Sequence, residues 1–260
     1  FILDHVVGYA QVSDTPLFAD ATPDTVAAVL AEAGKLAEIT LAPLNRAGDK
    51  APARLENGVV RTSPGFAEGY RAIAEGGWVG ISANPAFGGM GLPMTVTTCV
   101  NDMMGSACLA LQLNPLMTQG QIEALEHHAS DAIRALYIPK LISGEWCGTM
   151  NLTEPQAGSD VGSSATLATK RPDGNYNIKG TKIFISGGDQ DMTSNIIHLV
   201  LARTPEAPAG TKGLSLFIVP KNKPDGASND VAVGGIEHKM GIRASATCVL
   251  NFGENDDCVG

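Results

Sequence analysis

The spacing of apolar residues changes character once along this chain, near residue 145, and that change limits the fold more than any other feature. Before it, apolar residues recur at helical intervals. Thr22-Pro23 predicts a helix start, with the hydroxyl as cap and the proline in the first turn. Val26, Val29, Leu30, Ala33, Leu36, Ala37 and Leu41 then share a face, and Pro43 is expected to end the run. Ser63-Pro64 predicts a second helix, closed by Gly76-Gly77, and Met94–Leu113 a third. Two more are expected on either side of Ser130, the last passing through Ile133, Leu136 and Tyr137 to Ser143-Gly144. After Trp146 the runs are rich in β-branched and aromatic residues, as in Asn195–Leu201, Gly213–Val219 and Ala246–Phe252. Asp173-Gly174 predicts a hairpin between Ala165–Lys170 and Tyr176–Lys179. Segments 203–212 and 221–230 read as surface loops. The expected class is α+β: an N-terminal helical domain over 1–145, then a β-barrel-like or β-sandwich domain over 146–260.

With 260 residues, 44% hydrophobic and 17% charged, the chain has ample material for a globular core. No window approaches 18 consecutive apolar residues and no basic stretch precedes an apolar one, so neither membrane insertion nor a secretory leader is expected. The chain opens on Phe1 rather than Met, so its natural start is expected upstream. A net charge of −9 argues against a general nucleic-acid binder. Residues 1–145 carry 8 basic and 15 acidic side chains, residues 146–260 carry 10 and 12, so the second half is less hostile to an anionic ligand. The five cysteines are scattered, with no CxxC pair, which suits reduced, buried thiols and a cytoplasmic location.

The richest chemistry lies in Asn151-Leu152-Thr153-Glu154-Pro155-Gln156-Ala157-Gly158-Ser159-Asp160-Val161-Gly162, a turn that follows an apolar strand. Ala157 and Gly158 leave room for backbone N–H groups to approach a phosphate or a polar ring edge. About two dozen residues on, Gly180-Thr181-Lys182-Ile183-Phe184-Ile185-Ser186-Gly187-Gly188 reads as a strand that supplies an aromatic plate, Phe184, and a further hydroxyl. Together the two runs suit a large, flat, anionic cofactor.

The first run followed by the second resembles the FAD-binding signature of the acyl-CoA dehydrogenase family. The wording around Ala42–Asn45, Phe87–Pro93 and Glu237–Gly241 resembles its bacterial branch that includes 3-(methylthio)propanoyl-CoA dehydrogenases. The resemblance implies an FAD-dependent oxidoreductase of fatty acid metabolism that desaturates an acyl-CoA thioester, short or medium in chain. It also implies electron transfer to an electron-transferring flavoprotein and a homodimer or dimer of dimers. It implies that Met150, Leu152, Thr153, Gly158, Ser159, Phe184, Ile185 and Ser186 bind the cofactor, with Ser186 near the flavin N5. Ser159 would touch the pyrophosphate or the substrate's pantetheine, and Arg243 would serve substrate binding at the active-site mouth. Met150 and Phe184 stand where many members have Tyr and Trp, and both residue types still pack on an aromatic ring. The family's second helical bundle, which carries its catalytic Glu, has no counterpart here, so no residue of this chain is assigned that role. An acyl-CoA oxidase using O₂ and a non-catalytic flavin-binding relative remain open alternatives.

Glu154 and Asp160 are expected to fix the loop by accepting backbone N–H bonds rather than to act as bases. His127-His128 with Asp131 is not a metal set, because adjacent helical side chains diverge by about 100°. Gly88-Gly89-Met90-Gly91-Leu92 lacks dinucleotide-binding spacing and is expected to be a tight connection. Arg243 also reads without the resemblance as a structural residue of a surface loop.

Overall fold

The computed structural model describes residues 1–260, which divide into two compact units, Phe1–Lys50 with Pro64–Gly144, and Ala51–Ser63 with Glu145–Gly260. No helix is long and apolar enough to cross a membrane.

The first unit is helical: α1 (Ala10–Ser13), α2 (Pro23–Lys35), α3 (Ala42–Lys50), α4 (Phe66–Glu75), α5 (Met94–His128) and α6 (Asp131–Ile142). Thr22 caps α2 as expected, its hydroxyl accepting from the Thr25 N–H. Pro43 does not end that run. A π-helical stretch, Leu36–Leu41, joins α2 to α3, and within it the Ala42 N–H reaches the Ala37 carbonyl five residues back. The widened turn lets Pro43, which has no N–H to contribute, sit inside the helix. The third expected helix continues well past Leu113, but its backbone breaks at Cys108 (φ −154°, ψ 82°). Ser130 caps α6, accepting from Ile133 N–H at 3.4 Å. The helix at Ser63-Pro64 begins slightly later than its signal, after Gly65, with Gly69 on its buried face. A Cβ on Gly69 would lie 2.6 Å from a Leu44 methyl and 2.9 Å from one of Leu111, so glycine is what lets α4 approach α3 and α5.

The second unit opens with a hairpin that the sequence reading does not anticipate, β1 (Arg54–Glu56) and β2 (Val59–Arg61). Its turn is Asn57-Gly58 with φ of 51° and 79°, the doubly left-handed form that suits the strand twist. Val60 is fully buried among the β residues Ile178, Val200, Leu250 and Phe252, and its N–H donates to Asp189 at 2.9 Å. Ala51–Ser63 thus belong to the β unit although they precede residue 145 in the chain.

Seven further strands form one curled sheet: β3 (Trp146–Asn151), β4 (Leu167–Lys170), β5 (Tyr176–Ser186), β6 (Asn195–Arg203), β7 (Leu214–Pro220), β8 (Val231–Ile236) and β9 (Thr247–Phe252). The order runs β3-β6-β4-β5-β9-β8, with β7 also paired to β6. The expected hairpin forms, with Leu167 opposite Lys179 and Lys170 opposite Tyr176. The long strand β5 also takes the chain's end along its edge, through Ile178 N–H to the Cys258 carbonyl and Tyr176 N–H to Gly260. The α+β reading therefore holds, with the β part a curled, barrel-like sheet around an apolar core.

Candidate functional site

β3 and β5 carry the two sequence runs singled out above, and one irregularity brings them together. β5 pairs with β9 through Lys182–Leu250 and then Ile185–Cys248, so two residues, Ile183 and Phe184, face the single Val249. Such a bulge frees a backbone donor from the ladder and redirects a side chain. Here the Ile183 N–H leaves β9 and donates to the Thr153 carbonyl at 2.9 Å. Phe184 takes φ 60°, outside the usual range for an aromatic residue, and its side chain is 58% exposed.

The signature loop is fixed from several sides. Glu154 and Ala157 exchange backbone hydrogen bonds at 2.9 and 3.0 Å across Pro155-Gln156. The Glu154 carboxylate accepts from the Ala165 N–H (2.7 Å), the Thr166 N–H (3.1 Å), Gln156 Nε2 (2.6 Å) and Lys182 Nζ (2.8 Å). Burial on its own would raise this carboxyl, but the Lys182 ammonium and the N–H donors overcome that and hold it at about 2. Lys182 is wholly buried and also donates to the Leu152 carbonyl at 3.0 Å; burial lowers its ammonium below the ordinary lysine range, with Glu154 opposing. Downstream, Asp160 accepts from Ser163 Oγ, and Arg203 donates to the Ser164 and Gly162 carbonyls, each at 2.8 Å. Glu154 thus fixes the loop through backbone N–H groups, as expected, whereas Asp160 takes a hydroxyl.

Beneath the loop, Thr149 Oγ lies 2.7 Å from His198 Nδ1 and accepts from Asn151 Nδ2 at 2.9 Å. His198 is fully buried against the edge of Phe252. Burial, with the Lys221 charge, pushes its imidazole down to about 3, so it is neutral.

The donors this leaves are those a polar ring edge needs. The Thr153 hydroxyl and N–H have no acceptor within residues 1–260, and Ser186 Oγ is likewise uncommitted there. Leu152 and Phe184 are partly exposed, Met150 is half-buried at the end of β3, and Gly158 and Ser159 are exposed. A Cβ built on Gly158 meets nothing within 4 Å, so the space beside its backbone is open to a ligand. This donor set and exposed aromatic fit a flat, anionic cofactor such as FAD. Ile185 departs from the expectation that it lies against the ring. Its side chain is buried in the barrel core, because the bulge turns Phe184 outward and the next residue inward, and its carbonyl accepts from the Gly188 N–H at 3.1 Å. Arg243 is exposed in the loop between β8 and β9, beside Ile242 at φ 45°, and no hydrogen bond or ion pair joins it to the signature residues.

Lys182, which stands in the second sequence run without an assigned role, and Arg203, which lies outside both runs, also shape the site. Lys182 follows Asn177, Lys179 and Thr181 in β5, so residue type alone does not mark it as buried.

Comparison with known proteins identifies the family. The N-terminal domain of acyl-CoA dehydrogenases matches residues 25–145, and their middle domain matches residues 149–254. The 3-methylmercaptopropionyl-CoA dehydrogenase of Ruegeria pomeroyi is 43% identical over 257 residues, 97% of this chain and 44% of that protein. A butyryl-CoA dehydrogenase of Syntrophomonas wolfei is 41% identical over 236 residues, 87% of this chain and 38% of that protein. Among solved structures, an acyl-CoA dehydrogenase of Bacillus anthracis in complex with FAD has a TM-score of 0.72 at 20% identity, over 94% of this chain and 37% of that one, a likeness of fold. The chain spans less than half the length of these relatives.

Proposed function

The chain belongs to the acyl-CoA dehydrogenase family, and we propose that the protein to which it contributes desaturates an acyl-CoA thioester between its α and β carbons with FAD. The observation that carries this reading is the bond from Ile183 N–H to the Thr153 carbonyl, which sets the uncommitted Thr153 donors beside an outward-turned Phe184. When bound, FAD supplies the acceptor for the hydride leaving the β carbon.

The chain's own residues then bind, orient and exclude water. Thr153, through its N–H and hydroxyl, and Ser186 hold the edge of the ring system; Leu152 and Phe184 cover it, with Met150 packed behind. The open backbone at Gly158 and the Ser159 hydroxyl meet the pyrophosphate or the pantetheine. Glu154 is not the base that removes the α proton. A carboxyl held at about 2, with donors on both oxygens, has neither the basicity nor a free lone pair facing substrate. The carboxylate base lies in the part of the family's architecture that these residues do not match. Arg243 is assigned to substrate binding at the mouth of the site by resemblance.

The acyl group is short or medium, with 3-(methylthio)propanoyl-CoA the first candidate, a reading supported by the names of the two relatives. A hydrophobic pocket separates neighbouring chain lengths by only about 1–3 kcal/mol per methylene, so activities on several acyl-CoAs overlap. Electrons pass to an electron-transferring flavoprotein, and the assembly is a dimer or dimer of dimers. The test is kcat/KM of the intact protein on butanoyl-, octanoyl-, palmitoyl- and 3-(methylthio)propanoyl-CoA. The protein should purify yellow with noncovalent FAD and favour the shorter thioesters. A clear preference for palmitoyl-CoA refutes the chain-length assignment, and failure to bind any flavin refutes the function.

A further inference from the structure

We propose that the buried pair Lys182–Glu154 is a positioning device that orients and strengthens the Thr153 N–H as a donor to the flavin edge. This rests on the flavin reading above and extends it to two residues that touch neither cofactor nor substrate. Lys182 and Glu154 side chains are 0% and 3% exposed. A buried ion pair is weak ground for stability, since apolar residues of similar volume often serve as well or better. The geometry gives it another use. Nζ donates to the Leu152 carbonyl at 3.0 Å, and the next residue, Ile183, donates to the Thr153 carbonyl at 2.9 Å. Two consecutive carbonyls of the loop are therefore gripped by two consecutive residues of β5.

The peptide between Leu152 and Thr153 is planar, and no peptide bond in the chain is cis. Fixing the Leu152 carbonyl toward Lys182 therefore aims the Thr153 N–H the opposite way, away from the buried pair. An ammonium on the carbonyl also polarises that peptide, which makes its N–H the better donor. Glu154 anchors the ammonium to the rest of the loop through the Ala165 and Thr166 N–H groups at 2.7 and 3.1 Å. Lys182, Ile183 and Phe184 thus act in sequence: one aims the donor, one holds the loop, and one presents the aromatic face.

The test uses the intact protein with two variants and two readouts. In Lys182→Met/Glu154→Gln both charges are removed together, so neither charge is left buried without its counter-charge. It should fold and melt cooperatively, yet its FAD Kd should rise by at least about tenfold. In the FAD-free protein the Ile183 amide should exchange at least about tenfold faster. A folded double variant with wild-type FAD affinity and wild-type Ile183 protection overturns the proposal; a purely structural role lowers the melting temperature alone. If the double variant does not fold, Lys182→Arg decides. Its larger planar fork must approach the Leu152 carbonyl from a different direction in a site that is wholly buried, so FAD affinity should fall, and wild-type affinity overturns the proposal. If the unmutated protein binds no flavin, it is the functional reading that fails, and the Ile183 exchange rate still tests the clamp.

Discussion

Phe184 is the residue at which the fold holds a conformation its chemistry does not favour. An L-residue in the left-handed region costs about 1–2 kcal/mol, and a side chain 58% exposed recovers little of that by burial. The conformation is imposed by its neighbours, Ile183 bonded to the Thr153 carbonyl and Ile185 seated in the core. Asn tolerates this region far better, so Phe184→Asn should raise the unfolding free energy by about 0.5–1 kcal/mol while weakening FAD binding. Urea denaturation read beside FAD titration checks it, and a clear loss of stability would show that Phe184 is not strained. Thr153→Val should leave the fold intact and weaken FAD by about 0.5–1.5 kcal/mol, the net worth of one hydrogen bond; an unchanged Kd on titration removes the hydroxyl from the site. Thr153, Ser159 and Phe184 were marked as candidates by residue type and local order. Lys182 was not, because a lysine in a strand is ordinarily taken for a solvent-facing residue, and its burial depends on a carboxylate 28 positions away.

At the scale of elements, local signals with a backbone mechanism were readable and those overridden by packing were not. Thr22 and Ser130 cap helices where they should. Pro43, which signals a stop, is absorbed by a π turn, and Pro115 and Pro139 lie within α5 and α6. The hairpin of β1 and β2 had a signal in Asn57-Gly58, hidden by its length of three residues per strand and its place between helices. Gly58 holds φ 79° in the open, with nothing within 4 Å of a built Cβ, so only backbone conformation opposes a side chain there. Gly58→Val should therefore destabilise the β unit by about 1–2 kcal/mol. Because Val60 N–H donates to Asp189, the same variant should speed amide exchange at Val60. Unchanged exchange and stability would mean that the turn does not hold the hairpin in place.

At the scale of the whole chain, the change of periodicity near residue 145 foretells the two kinds of unit, because each local pattern must bury its own apolar face. What it cannot foretell is which polar groups the curled sheet encloses, since that depends on pairings between distant strands. His198 is the clearest case: it lies in an apolar run and is sealed against Thr149 and Phe252. Its imidazole, lowered from 6.5 to about 3, must take up a proton on unfolding at any pH between those values. A depressed folded value means the unfolded chain binds more protons there, so stability is full above about 6.5 and declines as pH falls through that window. The slope is about 1.4 kcal/mol per pH unit for one proton. Glu154, lowered from 4.5 to about 2, obeys the same sign and adds to the slope only below 4.5. Between pH 6.5 and 4.5 the loss should therefore be dominated by His198. Urea unfolding of the β unit at steps from pH 7 to 4.5 should show this decline, and His198→Gln, which cannot titrate, should flatten it. A wild-type profile already flat across that interval would mean that the imidazole is not sealed in the folded sheet.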